Sequence, residues 1–241
     1  MARRADRSAT DRSPLLDLVD ANHILFHQGV VDGFGHVSVR DARHRDRFLL
    51  ARSMAPALVG AGDILSFDLD GNPLGGDARA PYLERFIHGE IYRARPDVQA
   101  VVHSHSPCVV PFGVVSGAPL RPICHMSGFL HPAAPIFEIR DAAGPASDML
   151  IRNRALGAAL ARSLGAHAVV LMRGHGSTVV GTSLRQAVFR AVYTEVNARL
   201  QTIALGLGGP VNYVSPEEGA LRVKNPGEEG RAWDGWKEKA K

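Results

Sequence analysis

Apolar residues recur along the chain with two different spacings, and these spacings predict a mixed α/β fold. Spacings of three and four residues predict amphipathic helices over 15–27, 81–95, 154–164 and 184–206. Short apolar runs bounded by turn residues predict strands at 37–40, 48–52, 64–69, 98–102 and 136–139, and a pair of strands within 167–180. Because neither a repeat nor a linker divides these elements, we expect one domain with a mixed sheet between helices.

Length and composition agree with one large domain and narrow the classes of partner. The chain has 241 residues, of which 45% are hydrophobic, and this is ample for a buried core. The net charge of +4 is spread among interleaved basic and acidic residues, so a nucleic-acid partner is not expected. No apolar run approaches the length of a membrane span. The two cysteines, Cys108 and Cys124, form no CxxC pair, which favours a reduced, cytoplasmic setting.

The two ends of the chain differ in composition from the predicted domain. Residues 1–13 contain four arginines and few apolar side chains, which predicts a disordered basic tail. Residues 216–241 are charged and are predicted to form a C-terminal tail, mobile from Lys224 onwards unless Trp233 and Trp236 dock on the domain. The domain itself is therefore expected over residues 14–215.

Histidines stand at the ends of two predicted strands, where metal ligands are often found. His103 and His105 are two residues apart, so on an extended backbone both side chains project to one face and supply half of a metal site. The alternative is one hydrogen-bonded and one solvated histidine. His175 lies between Gly174 and Gly176 in a tight turn, from which it could project as a third ligand or simply face solvent. Three histidines with open coordination positions are typical of catalytic metal sites.

Other segments carry side chains suited to bind a ligand or transfer a proton. Glu84 begins the predicted helix 81–95 and could compensate the helix dipole, bind a metal or carry a proton. The loops 33–36 and 52–56 place polar or cationic groups beside flexible backbone, as anion sites do and as ordinary turns also do. His125, in the loop-rich stretch 112–130, could line a pocket or pack against the domain.

The order and spacing of these motifs resemble the class II aldolase/adducin family over about residues 14–215. The motifs that carry the resemblance are Gly35-His36-Val37-Ser38-Val39-Arg40, Glu84 followed by His88, Tyr92 with Arg95-Pro96-Asp97, Ala100-Val101-Val102-His103-Ser104-His105, and Gly174-His175-Gly176. The resemblance implies a single three-layer α/β/α domain with a central mixed or antiparallel sheet. It also implies homo-oligomers, commonly tetramers, with sites near subunit boundaries.

The same resemblance implies a divalent metal bound by His103, His105 and His175, with Glu84 beside it as a ligand or as the acid/base residue. Histidine-rich sites accept Zn²⁺ or Mn²⁺, and also Co²⁺ or Fe²⁺, so the sequence does not choose among them.

Departures from the family pattern bear on the substrate. Sugar-phosphate aldolases of the family have Asn where His36 stands and a Ser-Ser pair where Tyr82 and Leu83 stand. The loss of that amide and those hydroxyls removes much of a phosphate cradle. The motifs around His36, Arg52 and Glu84 resemble instead a decarboxylase branch, which acts on hydroxylated aromatic or pyridine dicarboxylates such as dihydroxyphthalate. An imidazole, a guanidinium and an aromatic ring suit a flat molecule that bears carboxylates.

We therefore expect a metal-dependent lyase that decarboxylates a hydroxylated aromatic dicarboxylate through a phenolate/keto intermediate chelated to the metal, which stores the negative charge. Glu84 or His36 would transfer the proton. The residues expected to bind the substrate are Arg52, Ser53, Arg79, Tyr82 and His125.

Three alternatives stay open at this stage. One is an aldolase for a non-phosphorylated hydroxy-carbonyl substrate. Another is a non-catalytic binding module like the adducin head, and the third is a structural metal site with closed coordination.

Overall fold

A seven-stranded mixed sheet forms the centre of the computed structural model, which describes residues 14–223 and 229–240. Its strands are β1 (His36–Arg40), β2 (Arg47–Ala51), β3 (Ile64–Asp68), β4 (Ala100–Ser104), β5 (Ile136–Phe137), β6 (Val169–Met172) and β7 (Gly176–Gly181). They lie side by side in the order β3-β2-β1-β4-β7-β6-β5. All neighbours are antiparallel except β5 and β6, which are parallel. The predicted basic tail, 1–13, lies outside the described residues.

Helices cover both faces of this sheet. In the described ranges they are α1 (Pro14–His27), α2 (Phe86–Ala94), α3 (Arg140–Ala143), α4 (Arg154–Leu164), α5 (Leu184–Gly206), α6 (Pro216–Val223) and α7 (Glu229–Lys239). Helices α1, α5 and α7 share one hydrophobic core with one face of the sheet, whereas α2 and α4 share a second core with the other face. The three-layer α/β/α domain with a mixed sheet is confirmed.

Alternate residues of the central strands divide between the two cores, as the two-residue period of a strand requires. In β4, Ala100 and Val102 belong to the core beneath α1 and α5, and Val101 belongs to the core beneath α2 and α4. Because both faces are buried, these strands appear in the sequence as continuous apolar runs. Their rigid ends are the positions from which the histidines project.

The helix predicted over 81–95 begins later than the sequence pattern indicates. Pro81 forms a bridge with Arg52, residues Leu83–Arg85 form a 3₁₀ turn, and α2 starts at Phe86. Within the turn Glu84 has φ −89° and ψ 19°, which is not helical. The predicted strand 136–139 is also shorter, because Ile139 caps α3 instead of continuing β5.

The C-terminal segment packs on the domain over the residues that are described there. Trp233 of α7 is only 1% exposed and belongs to the core formed by α1 and α5. Lys237 extends this contact, since its Nζ lies 3.3 Å from a carboxylate oxygen of Asp20 in α1. Docking through Trp233 therefore agrees with the geometry of the described part of this charged segment.

Long apolar helices of the kind that cross membranes are not found in the described residues. Even α5, with 23 residues, lacks the apolar character that a crossing requires. The first turn of α5 is capped by Ser183, whose side chain accepts a hydrogen bond from the Gln186 backbone.

Candidate metal and substrate site

Two histidines lie at the end of β4. His103 is the penultimate residue of the strand, in register with His36 of β1 on one side and Thr178 of β7 on the other, and His105 follows the strand directly. Their ring centroids are 5.1 Å apart. His103 is fully buried and His105 is half-buried. The expectation that both side chains project to the same place therefore agrees with the geometry.

A third histidine reaches this place from the turn between β6 and β7. Gly174 has a φ of +64°, a conformation that suits glycine, and it turns the chain so that His175 points back over the sheet. At Gly176 a Cβ would lie 1.9 Å from the carbonyl oxygen of Ser104. The glycines on both sides of His175 thus allow the turn to approach β4 closely enough to unite the three rings.

The donor atoms of these histidines converge with the carboxylate of Glu84. Nε2 of His105 and Nε2 of His175 are 3.0 Å apart, and Oε2 of Glu84 lies 3.5 Å from Nε2 of both His103 and His175. One donor atom from each of the four residues can be chosen so that all lie within 4.8 Å of one another. These separations match a metal centre, because two ligands about 2.1 Å from a tetrahedral Zn²⁺ lie about 3.4 Å apart.

Backbone carbonyls fix two of the rings in the tautomer that a metal requires. Nδ1–H of His175 donates to the carbonyl oxygen of Met149 at 2.9 Å, and Nδ1–H of His103 donates to the carbonyl oxygen of Ser177 at 3.2 Å. A carbonyl oxygen can only accept, so the proton is on Nδ1 and the lone pair of Nε2 faces the cluster. Nε2 of His103 is buried and has no hydrogen-bond partner among the described residues. The four residues therefore fit a divalent cation.

Glu84 is held in the cluster by its backbone turn and by one further contact. The Ile151 amide donates to Oε1 of Glu84 at 2.8 Å, which leaves Oε2 directed at the histidines. Burial alone would raise the pKa of Glu84, but its contacts with His103 and His175 outweigh burial and lower this pKa well below its usual value. Burial, followed by the neighbouring His103 and His175, lowers the pKa of His105 to about 4. At neutral pH the cluster thus contains a carboxylate and a neutral His105 imidazole.

A cavity of about 470 Å³ opens beside the four donors. It is lined by the segments 33–36, 53–55 and 82–84, together with His103, His105 and Leu150. Most of the lining is apolar, and the polar side chains are concentrated at the metal cluster and at His36 and Ser53. This is the usual composition of a small-molecule site. The two loops proposed from sequence as anion sites both contribute to its wall.

Of the residues predicted to act on the substrate, four lie in this cavity wall: Glu84, His36, Ser53 and Tyr82. The Tyr82 ring centroid is 4.6 Å from that of His36, and its hydroxyl donates to the carbonyl oxygen of Met54. Burial raises the pKa of Tyr82, so its hydroxyl stays protonated.

The other three predicted residues, Arg52, Arg79 and His125, are not among the described residues that line the cavity. Nε of Arg52 donates to Asp63 at 2.8 Å, and Arg79 donates to Asp77 and to the Gly62 carbonyl oxygen. His125 begins a 3₁₀ turn, His125–Leu130, elsewhere in the fold. Their contact with substrate therefore stays a prediction from the sequence.

Sequence reasoning missed the residues that support His36. Nδ1 of His36 lies 2.7 Å from Nε2 of His88, and Nδ1 of His88 lies 2.6 Å from Oγ of Ser38. Burial is the largest cause that lowers the pKa of His36 and that of His88, the latter to about 3, so both are neutral. One spacing could have revealed part of this contact, because Ser38 is two residues from His36 on a strand and both side chains therefore lie on one face.

A mainly antiparallel sheet between helices, with three histidines and one glutamate gathered beside the end of its central strand β4, defines an α/β class with a candidate metal site. Within this class the chain belongs to the class II aldolase and adducin family. The family model described as Class II Aldolase and Adducin N-terminal domain matches residues 16–202, which is most of the chain.

The relatives found by comparison are decarboxylases as well as aldolases. Decarboxylase tropJ of Talaromyces stipitatus is 41% identical over 206 residues, which cover 80% of this chain and 77% of that protein. The 3,4-dihydroxyphthalate decarboxylase of Arthrobacter keyseri is 38% identical over 204 residues, covering 78% and 77%. A solved L-fuculose 1-phosphate aldolase from Glaciozyma antarctica PI12 has a TM-score of 0.74 at 24% identity and covers 98% of this chain and 93% of that chain. The resemblance to the decarboxylase branch is confirmed.

Proposed function

We propose that the protein is a metal-dependent carboxy-lyase that removes one carboxylate from a hydroxylated aromatic dicarboxylate of the dihydroxyphthalate or hydroxypyridine-dicarboxylate type. The observation that carries this proposal is the set of four metal donors that borders an apolar cavity of about 470 Å³. The names of the decarboxylase relatives support the reaction and the class of substrate.

In this proposal His103, His105 and His175 hold the metal, with Glu84 as a further ligand or as the proton carrier beside it. Three imidazole nitrogens and one carboxylate oxygen suit Zn²⁺ or Mn²⁺, and Co²⁺ or Fe²⁺ are alternatives. A divalent cation at this place supplies Lewis-acid stabilisation for negative charge that develops on the substrate.

The remaining cavity residues would bind and orient the acid. Ser53 and His36 offer polar contacts to substrate oxygens, while the apolar wall around Phe34 and Leu83 packs on a flat ring and excludes water. When the bond to the departing carboxylate breaks, its electron pair stays on the ring carbon and must be met by a proton. Glu84 and His36 both line the cavity and are the proposed carriers of that proton.

The cavity also bears on the alternative functions. A purely structural ion would be enclosed by four ligands, whereas Glu84, His103 and His105 all face an open cavity. An adducin-like binding module would not need four converging donors. An aldolase for a non-phosphorylated substrate would use the same centre, so the product decides between the two lyases: carbon dioxide or an aldehyde.

Three further parts of the proposal rest on the sequence more than on the site. Substrate contacts by Arg52, Arg79 and His125 stay predictions, since the first two side chains are paired with acidic residues of their own chain. Apolar side chains exposed around the end of α5, where Ile203 is 57% and Leu207 is 82% exposed, support a homo-oligomer, and the tetramer stays a prediction. A cytoplasmic setting is supported by the two free cysteines. Light scattering of the purified protein would test the assembly.

The experiment that tests the function is a decarboxylation assay with the metal-loaded protein. Protein loaded with Zn²⁺ or Mn²⁺ is incubated with 3,4-dihydroxyphthalate and related hydroxylated dicarboxylates, and carbon dioxide release is measured. We expect release that depends on metal and that falls below detection in His105→Ala. The matched control is His27→Ala, at an exposed position of α1, which should keep wild-type turnover. Full turnover by folded His105→Ala, or release of an aldehyde, would contradict the proposal.

A further inference from the structure

A row of four buried polar side chains leads from the cavity into the interior of the domain. From His36 it runs through His88 and Ser38 to Tyr92, with separations of 2.7 Å, 2.6 Å and 2.8 Å between successive polar atoms. All four side chains are buried. We call this row the His36–Tyr92 chain. The proposed reaction uses only His36, so the other three residues have no assigned role.

One proton lies in each contact of the His36–Tyr92 chain, and therefore the direction of one hydrogen bond sets the direction of the rest. A neutral imidazole has one N–H and one acceptor nitrogen. If Ser38 donates to Nδ1 of His88, then His88 carries its proton on Nε2 and donates to Nδ1 of His36. In that case the one proton of the His36 ring is on Nε2. The opposite direction places it on Nδ1, between the two rings.

The inner end of the chain selects the first of these directions. Among the described residues, the hydrogen-bond partner of the buried Tyr92 hydroxyl is Oγ of Ser38, at 2.8 Å. Because a buried O–H that donates to nothing is costly, Tyr92 donates its proton to Ser38. Ser38 in turn donates to His88, since its other neighbour in the chain is already a donor.

The outer end of the chain faces the ligand. Nδ1 of His36 is occupied by His88, so the edge of the ring that carries Nε2 is the part available to the cavity that His36 lines. Neither Lys nor Arg is present among the described residues of the cavity wall. Outside the metal cluster, His36 and Ser53 are therefore the side chains able to donate to an anionic oxygen, because the Tyr82 hydroxyl is used by Met54.

We propose that Tyr92, Ser38 and His88 fix His36 in the tautomer that presents Nε2–H to the cavity, where it donates a hydrogen bond to an anionic oxygen of the substrate. Ser38, His88 and Tyr92 are then positioning residues that act through His36. The choice of a carboxylated aromatic ligand rests on the proposed function, whereas the tautomer follows from the hydrogen bonds alone.

The tautomer can be observed without turnover. Zn²⁺-loaded protein labelled with ¹⁵N in its histidines is examined by NMR, and the His36 and His88 signals are assigned by their loss in His36→Gln and His88→Gln. We expect a protonated Nε2 and an unprotonated Nδ1 in both rings. A proton on Nδ1 of His36 would overturn the inference, whatever the enzyme does to its substrate.

Variants test whether the buried residues set this tautomer. Ser38→Ala and Tyr92→Phe each remove one hydroxyl from the chain, and both should reduce the protonated fraction of Nε2 in His36. Binding of 3,4-dihydroxybenzoate to the Zn²⁺-loaded protein should weaken by roughly tenfold in Ser38→Ala, the loss of about one hydrogen bond to a charged group. For a substrate that is turned over, KM should rise more than kcat falls. Ser38→Thr, which keeps the hydroxyl, should restore the tautomer and the binding.

The matched control is Ser127→Ala, which removes the hydroxyl of another fully buried serine, in the turn His125–Leu130. It should leave tautomer and binding unchanged. If Ser38→Ala does not fold, the wild-type spectrum and the Tyr92→Phe variant still show which ring nitrogen of His36 carries the proton and whether the buried hydroxyls set it. Folded Ser38→Ala and Tyr92→Phe proteins with wild-type tautomer and wild-type affinity would refute the inference. A wild-type Nε2–H on His36 together with no carbon dioxide from any acid tested would instead refute the proposed function and leave the tautomer standing.

Discussion

For the histidines around the cavity, the hydrogen-bond partner of one ring nitrogen determines what the other ring nitrogen can bind. His103 and His175 donate Nδ1–H to backbone carbonyls, and this directs the lone pairs of their Nε2 atoms towards Glu84 and His105. His36 gives its Nδ1 to His88, which keeps it out of the metal cluster although its ring lies 5.0 Å from that of His103. Rings of one chemical type, packed together, thus have separate roles because their hydrogen-bond partners differ.

Acid should destabilise the metal-free protein, in part through His88. Burial lowers the pKa of His88 from about 6.5 to about 3, so between these values the unfolded chain binds a proton that the folded chain does not. Stability is then fully present above about pH 6.5 and decreases as the pH falls towards 3, by up to about 1.4 kcal/mol per pH unit for one proton. We expect His88→Gln to show a shallower dependence of the unfolding free energy on pH across this window.

Urea unfolding of metal-free protein at several pH values measures this slope. His36 and His105 also have lowered pKa values, so part of the dependence should persist in the variant. His44→Gln, at an exposed position, is the matched control and should keep the wild-type slope. An equal slope in His88→Gln and wild type would contradict the account.

The three candidate metal-binding histidines could be found from the sequence, because each stands in a local context that the chain itself specifies. His103 and His105 follow an apolar strand, and His175 lies between two glycines. Contacts made by Arg52 could not be found in this way. Its partner Asp63 is eleven residues away, and only the fold brings a carboxylate to 2.8 Å from that guanidinium.

At the scale of elements, the approach of the β6–β7 turn to β4 is the contact that assembles the site. The position of Glu84 also depends on a local break in an element. The 3₁₀ turn before α2 gives Glu84 a backbone conformation that a continuous helix would not provide. The sequence could not show this break, because the apolar positions of 81–95 keep helical spacing on both sides of it.

Gly176→Ala should disrupt that approach. The new Cβ would lie 1.9 Å from the Ser104 carbonyl oxygen and 3.0 Å from Cα of His105, and neither backbone atom can yield without moving β4. Overpacking of this kind costs about 1–3 kcal/mol or more. We expect a clear loss of unfolding free energy in urea, together with weaker Zn²⁺ binding by calorimetry.

Gly206→Ala is the matched control, because no neighbouring atom lies within 4 Å of its added Cβ at the end of α5. It should be as stable as wild type or slightly more so. Equal stability of Gly176→Ala and Gly206→Ala would show that the turn does not need this close contact.

At the scale of the whole molecule, the C-terminal helix α7 completes the core on the side of the sheet covered by α1 and α5. Many residues of α7 are charged, and a charged segment considered by itself is expected to form a solvent-exposed tail. The signal for docking was the pair Trp233 and Trp236, whose burial depends on a groove that only the folded domain provides.

Trp233→Ala should therefore destabilise the protein without affecting the metal site. Loss of a fully buried tryptophan costs about 3–5 kcal/mol. Thermal unfolding should show a marked decrease in Tm, while Zn²⁺ affinity of the folded protein stays at the wild-type value. Trp236→Ala, at a half-buried position, should have a smaller effect. A Tm for Trp233→Ala equal to that of wild type would mean that α7 does not pack as described.

The central claim is that His103, His105, His175 and Glu84 bind one divalent cation beside the cavity. Anomalous X-ray diffraction from crystals loaded with Zn²⁺ or Mn²⁺ locates such an ion directly. We expect a single strong peak about 2.0–2.3 Å from Nε2 of all three histidines, with Glu84 adjacent. A peak at another place, or no peak while His175 points away from the other two rings, would contradict it.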